Sequence, residues 1–259
     1  MPVEFTVDAI LSDMDGTLVD STPAVEGALS KWARLQGVEP EFFFSHSHGV
    51  RTRDNIKRFQ TVPVPGSSLT EEELDDAARE IEYAIAEEGR LLSEAGGRGI
   101  TRLPGVDKFL GALQLGGARW GIVTSATIIY ASSALTTSGV GKEPPAVPFL
   151  VTADLVKHGK PHPEPYLAGL EQLKKLGGAP IDPKRVLVLE DAPSGLASGL
   201  AAGCQTLAVC TGQTRERIRA TPATYRTVDF NRVEVVSASP EGITLRIKTL
   251  EEEDAEEQQ

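Results

Sequence analysis

The 259-residue chain holds only two cysteines, Cys204 and Cys210, too few for a disulfide framework. Both lie in apolar stretches, which predicts reduced, buried thiols in a cytoplasmic protein. No apolar run reaches the roughly 18 residues that a bilayer span requires. The first residues include Glu4 and Asp8 and lack the basic start of a secretory signal. Basic charge is in short supply as well. The 26 lysines and arginines face 37 acids, a net charge of −11. A field of that sign argues against nucleic acid and against an anionic membrane as partners. Six of the acids fall in the last nine residues, and without them the balance is −5. The segment 250–259 therefore reads as a disordered, solubilising tail.

What is present is ordinary for a globular chain: 40% apolar and 24% charged residues. The length suits one domain carrying an inserted piece, or two small domains. Short apolar runs recur, each closing on polar residues: Val7 to Leu11 before Ser12-Asp13, Trp120 to Val123 before Thr124-Ser125, Val186 to Leu189 before Glu190-Asp191, and Leu207 to Cys210 before Thr211-Gly212. Amphipathic helical stretches alternate with them. Pro104 to Leu115 is one; Pro163 to Leu176, stopped by Gly177-Gly178, is another. Apolar strands alternating with such helices predict an α/β fold, a parallel sheet covered on both faces.

Residues 20–100 break this grammar, with helical patterns and no convincing strand. Thr70-Glu71-Glu72-Glu73 has the form of a capping box. It opens a helix carrying Leu74, Ile81, Ile85 and Leu92 and ending near Gly96-Gly97. The α/β core then comprises 1–19 and 101–259, with a helical unit inserted at 20–100. Near the other end, Arg232 to Lys248 alternates about Pro240-Glu241-Gly242 and predicts an antiparallel hairpin at a sheet edge.

Ligands of an open parallel sheet gather beyond the carboxyl ends of its strands. The groups closing the runs are Asp13 with Asp15, Thr124 with Ser125, and Glu190 with Asp191. Neighbouring carboxylates repel, so they need a cation, and an oxygen-only donor set points to a hard ion such as Mg2+. Lys160, in Gly159-Lys160-Pro161-His162-Pro163-Glu164, stands at the mouth of a predicted helix. This combination suits phosphoryl transfer. A carboxylate attacks phosphorus, a second carboxyl two residues on passes a proton to the leaving oxygen, and positive groups neutralise the phosphate.

Asp13-Met14-Asp15-Gly16-Thr17 resembles the first motif of the haloacid dehalogenase-like phosphohydrolases. Ser125, Lys160 before Pro161, and Glu190-Asp191 with Gly195 close behind follow in that family's order. The stretches His46 to Thr52, Gly159 to Tyr166 and Glu190 to Gly195 are similar to the fungal 2-deoxyglucose-6-phosphate and glycerol-phosphate phosphatases. Ala126 departs from those relatives, which carry glycine there. The resemblance implies a Rossmann-like sheet with helices on both faces and an inserted helical cap of the C1 type. It implies Asp13 as nucleophile and Asp15 as general acid/base, with Lys160 holding Asp13 ionised. Mg2+ would be held by Asp13, the Asp15 carbonyl and Asp191, with Glu190 beside them. Ser125 and Ala126 would meet the phosphate, and Arg51 and His48 would reach the site from the cap. Arg51 keeps a second reading, an ion pair within the cap; His46 and His48 keep a structural one. The implied activity is hydrolysis of a small sugar or polyol phosphate by a monomer. A sugar phosphomutase of the same fold and a non-catalytic scaffold are the alternatives.

Overall fold

The computed structural model describes residues 2–47, 49–140 and 147–257. The chain opens with β1 (Val3–Val7), β2 (Ala9–Ser12) and the short β3 (Val19–Asp20). Four helices follow: α1 (Thr22–Leu35), α2 (Pro40–Ser47), α3 (Thr52–Phe59) and α4 (Glu71–Glu94). The chain returns through β4 (Thr101–Arg102) to α5 (Val106–Leu115), β5 (Trp120–Val123), α6 (Ile128–Ser138) and β6 (Leu150–Val151). Next come α7 (Glu164–Lys175), β7 (Val186–Glu190), α8 (Pro193–Ala201), β8 (Gln205–Val209), α9 (Arg215–Ala220) and β9 (Tyr225–Thr227). A hairpin, β10 (Val233–Ser239) and β11 (Gly242–Ile247), and a final helix, α10 (Leu250–Glu257), complete it.

Six strands form a parallel sheet in the order β6-β5-β2-β7-β8-β9. Every residue of β2, β5 and β7 is buried, which is why they read as unbroken apolar runs. Alternate residues still take opposite sides. Ile10, Ile122, Leu187 and Leu189 pack in the same core as α5 and α6, while Leu11, Val123, Val186 and Val188 meet Tyr166, Leu170 and Leu173 of α7. The strand order reverses about β2, so the carboxyl ends of β5, β2 and β7 border one crevice.

Helices α1 to α4 occupy Thr22 to Glu94, and their two connections to the sheet pair as β3 and β4, Val19 opposite Arg102. The capping box is formed: the Thr70 side chain accepts from the Glu73 amide, and the Thr70 amide donates to the Glu73 carboxylate at 2.8 Å. Phe43, Ala33 and Phe59 form one apolar centre of this unit, and Ile56, Leu74 and Ala78 another. No helix among the described residues is long and apolar enough to cross a membrane.

Three expectations require correction. The run Val7 to Leu11 is not one strand. Asp8 interrupts it, because its amide donates to the Arg185 carbonyl and its carboxylate accepts from the Arg185 guanidinium at 2.7 Å. The chain thereby changes sheets between β1 and β2. The terminal hairpin, in turn, does not join the parallel sheet. Its strand β11 lies between β1 and β10 in a separate antiparallel sheet, with Ile243, Leu245 and Ile247 fully buried.

The acidic segment is not a free tail. It folds as α10, with Leu250 buried and its acids facing basic groups gathered from distant stretches. Glu253 accepts from Arg232 and Lys248, Asp254 meets Arg215 and Arg219, and Glu256 meets Lys248 at 2.6 Å. Deleting residues 250–259 should lower stability by about 2 kcal/mol, the transfer value of one buried leucine. The urea midpoint measures this, and an unchanged midpoint would mean that the helix does not dock.

Candidate active site

The site begins where β2 ends. The Asp13 amide still donates to the Leu189 carbonyl of β7 at 2.9 Å, which fixes the first carboxylate to the sheet. Met14 is fully buried, and its carbonyl accepts from the amides of Thr17, Leu18 and Val19. That tight turn needs Gly16, whose φ is +79°, a left-handed value that side chains disfavour. A second constraint acts there as well. A Cβ on Gly16 would lie 2.3 Å from the Asp191 carboxylate, and one on Gly212 would lie 1.9 Å from it. The Asp191 carboxylate therefore occupies space that two glycines leave open.

Lys160 reaches the same point from the loop before α7 and is 2% exposed. Its ammonium spends all three protons: on Asp13 Oδ1 at 2.6 Å, Glu190 Oε1 at 2.7 Å and the Val123 carbonyl at 2.9 Å. The Tyr166 hydroxyl also donates to Glu190 Oε1, and the amides of Asp191 and Ala192 donate to Oε2. Each Glu190 oxygen thus has two donors, so this carboxylate positions Lys160 and the turn into α8. Gly195 makes room for it, since a Cβ there would fall 1.7 Å from Glu190 Oε1.

The electrostatics follow from three buried carboxylates sharing one ammonium. Burial pushes the Asp13 carboxyl up to about 8 against the pull of Lys160, and Glu190 adds to the rise. Burial likewise holds Asp191 well above the usual carboxylate range, reinforced by Glu190 and Asp13. Burial opposes the Lys160 charge too, but Asp13 and Glu190 outweigh it and its pKa rises. The proton stays on the lysine, whose single charge is too little to hold all three buried carboxyl groups ionised together. Asp13, Glu190 and Asp191 bring oxygens within 4.8 Å of one another. This oxygen-only donor set, short of positive charge, fits a hard metal cation. Asp13 and Asp191 are the members with acceptor capacity to spare.

Asp15 stands apart from this cluster. The Tyr130 hydroxyl of α6 donates to its Oδ1 at 2.8 Å. Burial raises its pKa, while hydrogen bonds from Ser21 and Tyr130 oppose the rise. The elevated carboxyl is suited to carry a proton.

Above these groups lies a cavity of about 230 Å³. Asp13, Asp15, Asp191, Thr124, Ser125 and Ala126 line its core side. Val25, Leu29, Phe44, Val50 and Ile85 supply an apolar wall from the inserted helices, with Thr22, Glu26, Ser47, Thr52, Asn55 and Glu82 as the polar groups. No lysine, arginine or histidine among the described residues lines it. Ser125 Oγ donates to the Gly49 carbonyl at 3.0 Å, and the Ala126 amide donates to Thr124 Oγ1 at 3.1 Å.

Arg51, expected at the substrate, does not reach the cavity. Its guanidinium pairs with Asp54 at 2.8 and 3.1 Å and donates to the carbonyls of Val156 and Lys157. Its alternative reading, the ion pair, is the one observed, and the side chain ties the inserted unit to the loop before Lys160. Lys160 also lies behind Asp13 rather than in the cavity wall. His48 lies outside the described residues. The His158 and His162 rings meet at a tilt, with centroids 4.7 Å apart, outside the cavity wall. The cysteines are free thiols whose pKa values burial pushes up, to about 12 for Cys204 and about 11 for Cys210. Neither is poised as a nucleophile. The sequence pattern does not single out Tyr130, Thr17, Glu82 or Tyr166, because a helix-facing pattern does not show which polar atom points where.

The family described as haloacid dehalogenase-like hydrolase matches residues 7–203, and the chain belongs to it. The chain is 40% identical over 201 residues to hexitol phosphatase A of Escherichia coli, covering 77% of this chain and 81% of that one. It is 30% identical over 257 residues to 2-deoxyglucose-6-phosphate phosphatase 2 of Saccharomyces cerevisiae, covering 94% and 96%. Among solved structures, a β-phosphoglucomutase from Clostridium difficile superposes with a TM-score of 0.68 at 20% identity, covering 88% and 93% of the two chains. At that identity the likeness shows a shared fold.

The glycine beside Glu190 gives a sharp test. Within a helix, Gly195→Ala should stabilise by about 1 kcal/mol on propensity alone. Here the added methyl must push Glu190 aside and disturb Lys160, so kcat/KM should fall about 100-fold. Steady-state kinetics with a melting curve separates the two; a more stable, fully active variant would contradict the described packing.

Proposed function

We propose that this chain is a Mg2+-dependent phosphatase that hydrolyses a small sugar or polyol phosphate monoester through a phosphorylated Asp13. The observation that carries this reading is Asp13 on the floor of the cavity, hydrogen-bonded by a charged, buried Lys160, with a carboxyl of raised pKa on Asp15 two residues away.

Asp13 and Asp191 would hold the cation, together with the Asp15 carbonyl, while Glu190 orients Lys160. When bound, Mg2+ supplies positive charge against the phosphoryl oxygens and the crowded carboxylates. Lys160 and the cation together would keep Asp13 ionised against the effect of its burial. A free oxygen of Asp13 attacks phosphorus, forming an acyl phosphate, and the P–O bond to the sugar breaks. Asp15 gives its proton to the departing alkoxide. It then takes a proton from the water that attacks the acyl phosphate, releasing phosphate and restoring Asp13. Ser125 and Ala126 supply donors to the phosphate once their present partners, Gly49 and Thr124, release them. The inserted helices serve as the cap that excludes water and meets the sugar. In this reading Arg51 fastens the cap instead of touching substrate.

The cavity favours a neutral, hydroxylated leaving group. Its cap side offers Ser47, Thr52, Asn55 and Glu26 to hydroxyls and an apolar wall to carbon, with no basic side chain for a second anion among the described residues. A hexitol phosphate, a deoxysugar phosphate and a glycerol phosphate all meet those terms. A phosphomutase has to grip the second phosphate of a bisphosphate, so hydrolysis is the better reading. A scaffold role is disfavoured because Asp13, Asp15, Lys160 and Asp191 are all in place. The enzyme is read as a cytoplasmic monomer with free thiols.

Phosphate release from a panel of sugar and polyol phosphates tests this, with Mg2+ and with EDTA. Asp13→Asn should lower turnover by several orders of magnitude with the fold intact, and EDTA should abolish turnover reversibly; comparable activity in either case would refute the assignment. Asp15→Asn separates the second role. Formation of the phosphoenzyme from an alkyl phosphate should slow by about 100-fold or more. Formation from p-nitrophenyl phosphate, whose leaving group needs no proton, should slow far less. The sign with pH is fixed by the same argument. Asp15 must be protonated for the first step, and its pKa is raised. Phosphoenzyme formation from alkyl esters should therefore persist above the ordinary carboxylate range and decline as pH rises through the elevated value. A rapid-quench series over pH measures it.

A further inference from the structure

Glu82 lies in the middle of α4, in the inserted unit, and is 1% exposed. A buried carboxylate is costly unless its oxygens are fully used. Glu82 Oε1 accepts from the Thr52 hydroxyl at 3.0 Å, within the inserted unit. Its Oε2 accepts from the Thr127 amide at 2.9 Å and from the Thr127 hydroxyl, both in the α/β core. Thr127 is the N-cap residue of α6, and its own side chain makes no cap bond to that helix. The acceptor for the N-cap amide of α6 is therefore supplied from the inserted unit, while the next amide, that of Ile128, donates to Asp154 Oδ1 of the core at 3.0 Å. In α4 the corresponding service is local, by Thr70 and Glu73.

An aspartate at position 127 could cap α6 locally without a buried charge between units. What the actual arrangement adds is a link between the inserted helices and the first turn of α6. Two functional groups hang on that turn. Immediately before Thr127 come Ser125 and Ala126, which face the cavity. Three residues after it, on the same side of the helix, Tyr130 donates to Asp15 at 2.8 Å. The other nearby tie, Ser125 Oγ to the Gly49 carbonyl, must break for that hydroxyl to meet a phosphate. The Glu82 tie uses no atom that the phosphate needs, so it persists with substrate bound.

We propose that Glu82 is a positioning residue: acting through Thr127, it sets the loop 124–127 that receives the phosphate and, one helical turn on, the tyrosine that orients Asp15. This deepens the phosphatase reading and rests on it. Glu82 does not select among sugars, although it lines the cavity, because its oxygens are spent on Thr52 and Thr127.

The test uses the Mg2+-loaded, full-length protein and Glu82→Gln, which keeps the volume and removes the charge. Two quantities are read: the Kd of inorganic phosphate by calorimetry, and kcat/KM on p-nitrophenyl phosphate and on the best sugar ester. Phosphate should bind about tenfold more weakly, as expected for one lost charged hydrogen bond. The kcat/KM should fall by a similar factor on both esters. A loss confined to the sugar ester would make Glu82 a specificity contact and overturn the proposal. A lower Tm with unchanged phosphate affinity would make it merely structural and also overturn it. Thr127→Val probes the same contact from the core side if Glu82→Gln does not fold: weaker phosphate binding supports the proposal, and unchanged binding overturns it. Where both variants fold, the double variant should lose no more than Glu82→Gln alone, and additive losses would show that Glu82 does not act through Thr127. Phosphate affinity is read without turnover, so an enzyme inactive on every ester would fault the reaction scheme and not this contact.

Discussion

One buried ammonium organises this protein. Lys160 gives each of its protons to a different acceptor, and two of those acceptors are carboxylates that repel each other in a site from which water is excluded. A lysine suits this geometry better than an arginine would. Its charge is compact and its three donors diverge, whereas a guanidinium presents a flat fork. The surrounding glycines answer to the same crowding. Gly16, Gly195 and Gly212 are the places where a single methyl would collide with a carboxylate of the cluster. The parallel sheet brings these pieces together because Asp13, Glu190 and the Val123 carbonyl stand at the ends of neighbouring strands.

The second constraint is the division of labour between core and insertion. The core holds the charged machinery on rigid strand ends. The inserted helices provide most of the cavity wall and no basic group among the described residues. Ties that join the two units next to the site include, among the described residues, Arg51 to the carbonyls of Val156 and Lys157, Ser125 to the Gly49 carbonyl, and Glu82 to Thr127. They fall on the two core loops that carry Lys160 and Ser125. Shape and charge are therefore coupled: the helices that wall the cavity also hold the loops that carry Lys160 and Ser125.

Much of this was legible in the sequence, and the reason is locality. A run of apolar residues closed by Asp-x-Asp or Glu-Asp carries both a strand and its functional end within about six positions. The capping box at Thr70 and the stop at Gly96-Gly97 are equally local signals. What escaped was non-local. The basic partners of α10 are scattered over Arg215, Arg219, Arg232 and Lys248, so the acidic segment looked unpartnered. The hairpin was recognised but not its neighbour β1, some 240 residues away in sequence. Tyr166 and Glu82 occupy helix positions that read as packing and as a solvated face; only the three-dimensional arrangement shows their oxygens turned towards Glu190 and Thr127. Arg51 was legible as a buried-site cation but not its direction, since Asp54 lies one helical turn away and claims it.

The excess negative charge has a last consequence, for how the site fills. Asp13, Asp191 and Glu190 outnumber Lys160, and a phosphate ester brings further negative charge to the same few ångströms. Coulomb repulsion between such groups is steep where water is excluded, so neither the carboxylates nor the ester tolerates the other without a cation. Burial, and after it the neighbouring carboxylates, raise the pKa values of Asp13 and Asp191. A divalent ion would relieve both, and ion and ester would then each favour the binding of the other by equal amounts. Asp15 stands to one side of this cluster. A tyrosine and a serine hydrogen-bond it, Lys160 acts on it only through space, and burial still leaves its pKa raised. Two carboxyl groups two residues apart are thus given different surroundings by the side of the turn each occupies.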